Sequence, residues 1–158
     1  MDVGVTGHQD RKGIRWPWVE DVVRAELKKL QDVRQALSCL AAGTDQIFAE
    51  VAIELHIPVV AVVPLAQYET FFEQGALSNY QRLLSQCQVI PLGWKGDPER
   101  AFFEAGKFIV DQCDTLFAVW DGGGAEGLGG TGDVVSYAQR KRKPVIHINP
   151  CTKIVSTI

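Results

Sequence analysis

The run Pro58-Val59-Val60-Ala61-Val62-Val63, closed by Pro64, constrains the fold more than any other segment of this chain. β-Branched residues favour an extended backbone, and a run without polar alternation leaves no face for water. Strands of this kind belong to parallel sheets that carry helices on both faces. The rest of the sequence has to supply those helices.

It does so by regular alternation. Val3-Gly4-Val5 reads as a first strand ending at Thr6-Gly7-His8. Pro17 suits a first helical turn, after which Val19, Val22, Val23, Leu27 and Leu30 share one face. Ala36-Leu37-Ser38 is a weaker second strand, and Thr44 and Asp45 can cap a helix from about Asp45 to Leu55. A helical region from Gln67 to Ser85, broken near Gly75, leads to Val89-Ile90-Pro91-Leu92, whose internal proline predicts a sheet edge. A helix over Glu99–Cys113, a strand over Thr115–Trp120, a helix over Asp133–Arg142 and a strand over Val145–Ile148 complete the series. The expected fold is α/β: a single-domain, Rossmann-like, doubly wound sheet of about six mostly parallel strands with right-handed crossovers. The domain is expected to span residues 1–150, with 151–158 as a C-terminal tail.

Composition narrows the function class. A chain of 158 residues with 46% apolar and 22% charged content is that of an ordinary globular domain. Its net charge of −3 predicts no general nucleic-acid binding, which usually draws on a basic excess. No apolar run approaches the ~20 residues of a membrane span, and the start of the sequence carries no basic signal region. Cys39, Cys87, Cys113 and Cys151 form no CxxC pair, so reduced thiols in a cytoplasmic protein are expected. With three scattered histidines, neither a metal site nor a cofactor is predicted. His56 is read as satisfying a helix C-terminus and His147 as an ordinary strand residue. The basic run Arg140-Lys141-Arg142-Lys143 is read as charge closing a helix.

The chemistry-bearing segment is Trp120 to Thr131, in which six of twelve residues are glycine. It lies between an apolar strand and a helix. A loop so poor in side chains presents backbone N–H groups, and the helix after it adds the positive end of its dipole, a combination that binds phosphates. Two further loops follow strands: Thr6-Gly7-His8-Gln9-Asp10-Arg11 and Leu40-Ala41-Ala42-Gly43-Thr44-Asp45. With the first strand between the second and the Thr115–Trp120 strand, all three loops meet at one edge, where open α/β sheets bind ligands. This is neither the GxGxxG fingerprint nor a P-loop. Gly7, Gly43, Gly129 and Gly130 are candidates for close backbone approach to a ligand, with plain turn geometry as the alternative. Gly122 and Ala42 belong to the same loops. Thr131 is a candidate phosphate donor or helix cap, and His8 a phosphate or ribose partner or a structural loop residue. Asp45 is a candidate ribose contact or the cap of its own helix. Trp120 could stack on a base and Asp121 bind ribose; packing and turn formation are the alternatives. Arg11, Arg15 and Lys107 are weaker phosphate candidates, and Tyr68, Phe72 and Tyr80 a base wall or simply core.

The motifs Val-Thr-Gly-His, Leu-Ala-Ala-Gly-Thr-Asp, Ala-Val-Val-Pro, Ala-Val-Trp-Asp-Gly and Gly-Gly-Thr-Gly-Asp-Val-Val, in this order from Val3 to about Pro150, resemble the SLOG superfamily. The resemblance implies a Rossmann-like domain binding nucleotides or ADP-ribose-type derivatives. In the lonely-guy phosphoribohydrolases of that superfamily a functional glutamate follows three positions after the Gly-Thr pair; here that position is Val134. An aliphatic group cannot serve as nucleophile, acid or base. The resemblance therefore implies non-catalytic sensing of a nucleotide-derived small molecule, ADP-ribose-like or cyclic ADP-ribose-like, in a defence or stress pathway, with self-association as an output. The alternative is an N-glycoside hydrolase or ribosyl transferase using a relocated carboxylate, Asp133, Glu126 or Asp121. A partner-binding module with a vestigial pocket is the third reading.

Overall fold

The computed structural model describes residues 1–9, 11–124 and 130–158. These form one seven-stranded sheet of order β4-β3-β2-β1-β5-β6-β7. The strands are β1 (Asp2–Gly7), β2 (Gln35–Ser38), β3 (Val59–Val63), β4 (Gln88–Pro91), β5 (Thr115–Val119), β6 (Val145–Asn149) and β7 (Ile154–Thr157). The first six pair in parallel, and β7 returns antiparallel along β6. The helices are α1 (Trp16–Lys29), α2 (Thr44–Glu54), α3 (Gln74–Leu84), α4 (Pro98–Gln112) and α5 (Thr131–Arg140).

Successive side chains of a strand point to opposite faces, and this divides the core in two. Phe117 and Val119 join Val3, Val5 and Ala61 beneath α1, α2 and α3, where Val19, Val23, Phe48 and Leu83 are buried. Leu116 and Ala118 join Leu37, Val60 and Val62 beneath α4 and α5, with Ile109, Val110, Val134 and Ala138. β3 contributes to both clusters, the arrangement its unbroken apolar run predicts. Gly4 sits where α4 comes closest, since a Cβ there would lie 2.5 Å from Ile109 Cγ2.

Two elements depart from the expectation. The segment expected to be one broken helix is a short 3-10 turn, Tyr68–Phe71, followed by α3. The expected six strands become seven, because residues 154–157 pair with β6 at Ile146↔Thr157 through Asn149↔Ile154. The predicted edge strand is β4, and Pro91 costs no ladder bond there.

Among the described residues no helix is long and apolar enough to cross a membrane.

Candidate functional site

Strand order reverses between β1 and β5, and the loops leaving β1, β2, β3 and β5 bound a cleft of about 760 Å³ beyond their carboxyl ends. That volume lies within the range of small-molecule sites. From the candidate residues the cleft draws Gly7, His8, Ala42, Asp45, Trp120, Asp121, Gly130 and Thr131. Gly43 and Thr44 do not line it. Gly122 lies between the lining residues Asp121 and Gly123, and Gly129 and Glu126 fall outside the described residues.

The floor is held by the first loop. His8 N–H continues the ladder to Val119 O at 2.9 Å, and His8 O accepts from Thr44 N–H at 3.2 Å and Thr44 Oγ1 at 2.9 Å. This explains two glycines without a ligand. Gly43 has φ +83°, and a Cβ there would lie 2.9 Å from His8 O and from the Gln9 carbonyl carbon. A Cβ on Gly7 would lie 2.4 Å from Thr44 Cγ2. The entrance of α2 thus spends its amides on the protein: Thr44 N–H on His8 O, Gln46 N–H on Ala41 O.

The entrance of α5 differs. Gly130 is its N-cap, no side chain caps it, and Gly130, Thr131 and Gly132 all line the cleft. Thr131 is the first helical residue rather than the cap. The Asp133 N–H donates to Gly130 O at 3.0 Å, and the cleft-lining start of the helix with its dipole makes this end attractive to an anion. Arg11 stands nearby, its Nη1 donating to Asp121 Oδ2 at 2.8 Å. Arg15 and Lys107 do not line the cleft, and Lys107 pairs with Glu104 at 3.1 Å.

Asp121 joins the loops. Its Oδ1 accepts from Gly123 N–H at 2.8 Å, and its own N–H donates to His8 Nε2 at 3.1 Å. The Gly123 amide chiefly, then His8 and Arg11, hold the Asp121 carboxyl below the ordinary range. The Trp120 indole N–H donates to Gly123 O at 2.8 Å and its ring lies 5.0 Å from His147, so it braces the loop.

The opposite end is aromatic and acidic. Tyr68, Phe71, Phe72 and Phe102 line it, with Tyr68 edge-on to Phe72 at 4.9 Å and Phe71 edge-on to Phe102 at 5.3 Å. Tyr80 packs behind, stacked on Phe72 at 4.6 Å. Phe71 and Phe102 escaped the sequence reading, since a helix position alone does not reveal that α4 leans toward the tip of β3. Buried Leu40, at φ 57°, turns the chain after β2 and sets Cys39 and Ala41 into the wall. Among the described residues Asp45 accepts from Ala41 N–H alone, at 3.3 Å, and loss of water pushes its carboxyl up to about 7. Burial, with Asp45 adding to it, raises the Cys39 thiol well above its ordinary value. Tyr68, whose hydroxyl donates to Cys39 O at 2.9 Å, is raised likewise by burial. Val134 lines the cleft while only 3% exposed.

No known family profile and no curated protein sequence matches the chain. Solved structures do. DNA processing protein A from Streptococcus pneumoniae is similar at a TM-score of 0.66 and 18% identity, over 94% of this chain and 50% of that one. DNA processing protein A from Helicobacter pylori, described as having a unique single-stranded DNA binding mode, is similar at 0.67 and 14%, over 94% and 65%. The molybdenum cofactor binding protein from Rippkaea orientalis is similar at 0.57 and 16%, over 92% and 74%. The chain thus spans half the length of the first and less than two thirds of the second.

One expectation is corrected by this likeness. The net charge of −3 predicts no general nucleic-acid binding, yet a protein of the same fold is described as binding single-stranded DNA. Overall charge averages away a local surface that a strand can use, so it excludes nothing here. In fold, this chain is a Rossmann-like α/β protein, as those structures are.

Proposed function

We propose that the chain binds a nucleotide-derived small molecule, of ADP-ribose or cyclic ADP-ribose type, without cleaving it. The observation that carries this reading is the cleft at the β1–β5 reversal, with the uncapped entrance of α5 at one end and an aromatic wall at the other. A molecule with phosphates and a ring matches both ends. The phosphates belong at α5 rather than at α2, whose Thr44 and Gln46 amides are already bonded within the protein. Val134 supports binding without chemistry, because it offers the cleft no group that can attack or transfer a proton. A sensing role would need the ligand to favour one state over another, and self-association is the simplest output.

N-glycoside cleavage is the second reading, and one observation favours it. Asp45 is a cleft carboxyl pushed up to about 7, near the value a proton-transferring group needs.

The test is calorimetry with ADP-ribose, its cyclic isomers, NAD and a single-stranded oligonucleotide, with chromatography of the recovered ligand. Expected are saturable binding of a nucleotide, intact recovery, and loss of binding in Gly130→Asp, which sets a carboxylate at the phosphate end. At a hundredfold excess over Kd the ligand adds ~2.7 kcal/mol of stability. Unchanged affinity in Gly130→Asp refutes the placement. Release of free base that stops in Asp45→Asn replaces binding with hydrolysis. Tight binding of the oligonucleotide alone makes the ligand a strand.

A further inference from the structure

A second depression, about 330 Å³ and lined by Glu20, Arg24, Glu50, Glu54 and Arg82, is closed by its own ion pairs. Arg24 bonds Glu54 at 2.6 Å and Glu20 at 3.3 Å, and Arg82 bonds Glu50, so little bonding capacity is left for a guest. Asp45 is the opposite case. One backbone amide engages its carboxyl, and no cation or second donor does so among the described residues. The ionisable groups that face it, Cys39 and Tyr68, stay neutral, and the Tyr68 hydroxyl is committed to Cys39 O.

We propose that Asp45, with the wall of Tyr68, Phe72 and Phe102, forms a nucleobase subsite that selects a ring carrying an exocyclic amino group. This inference rests on the nucleotide-binding reading above and names which base that site takes.

Three observations converge on it. The wall is a set of packed rings, Tyr68 edge-on to Phe72 at 4.9 Å and tilted against Phe102 at 6.0 Å, and it offers apolar surface for a planar ring. Its one hydroxyl is used internally, so the wall holds a ring without reading its edge. Reading the edge falls to Asp45, which keeps an oxygen to spare within the cleft, whereas Glu73, the other carboxyl lining this end, is exposed to solvent. An ionised carboxylate only accepts, so it pairs with an amino group and opposes a carbonyl oxygen at the same place. The third observation is reach. The β3 tip carrying the aromatic turn stands three strand spacings from the β5 tip, ~14 Å at ordinary sheet geometry. A ring, a pentose and a phosphate strung in line bridge that gap.

Substitution can invert the preference. In Asp45→Asn the amide oxygen keeps the Ala41 N–H bond, and the NH2 group then faces the cleft as a donor. Binding of ADP-ribose and of its hypoxanthine counterpart is measured by calorimetry at pH 8, on the wild-type chain and on the variant. The wild type is expected to prefer the amino ring by about tenfold, the worth of one hydrogen bond to a charged acceptor. Asp45→Asn is expected to favour the oxo ring, and Phe71→Ala, at a half-exposed position of the wall, to weaken both ligands alike. A wild-type ratio that persists in Asp45→Asn overturns the subsite and leaves nucleotide binding standing. Unchanged affinity in Phe71→Ala moves the ring off this wall and overturns it too. Failure of the wild type to bind either ligand overturns both readings.

Discussion

Asp45 also sets a pH dependence of stability that needs no ligand to observe. Its carboxyl is pushed from 3.8 to about 7 by loss of water. In the unfolded chain the group ionises near its ordinary value, so between about pH 4 and pH 7 the folded state binds more protons than the unfolded state. Stability then falls as pH rises. The contribution of the protonated group is fully present below 3.8 and lost by about 7. At ~1.4 kcal/mol per unit the whole shift corresponds to roughly 4 kcal/mol; residual water at the cleft mouth screens part of it, leaving about 2 kcal/mol. Asp45→Asn removes the ionisation and keeps the Ala41 bond. Urea denaturation of both proteins from pH 4 to pH 8 reads the difference, in which every other titration is shared. The variant should match the wild type near pH 4 and exceed it by about 2 kcal/mol at pH 8. A difference that stays constant with pH refutes the reasoning, since Asp45 would then ionise alike in both states.

Two further outcomes follow from packing. Gly7→Ala forces a Cβ against Thr44, which is 0% exposed and bonded to His8 O, so it should cost about 1–3 kcal/mol in denaturation; a neutral effect would show that the first loop is not clamped to α2. Val134→Glu should lower Tm and yield no base release by chromatography, because Val134 Cγ2 packs within 2.6 Å of where a Gly106 Cβ would be; a stable variant that frees base would show the site to be a dormant hydrolase.

Much of this architecture was readable from local pattern. β3 announced a sheet covered on both faces, and Pro91 an edge. What local pattern could not supply is which neighbour a residue serves. Gly43 looks the same whether its positive φ admits a phosphate or the His8 carbonyl; the structure shows the carbonyl. Asp45 reads as a helix cap, yet Gly43 caps α2 and the carboxyl turns to Ala41. Residues 154–157 read as tail because their partner, β6, is set by a turn whose geometry comes from Asn149, whose Oδ1 accepts from Cys151 and Thr152 N–H at 3.0 and 3.1 Å. Phe102 joins the aromatic wall by packing at the edge of the α1–α3 side, although the rest of α4 covers the other face.

The ladder between β1 and β5 runs unbroken from Val3↔Thr115 to Gly7↔Val119. The loops after β1 and β5 therefore hang from adjacent strands welded along five rungs, and no hinge separates those two loops. Bending motions of the kind that shut two-lobed receptors are closed to such a frame. Occupancy can be reported only at the rim, by the loops after β1 and β5 and whatever rests on them.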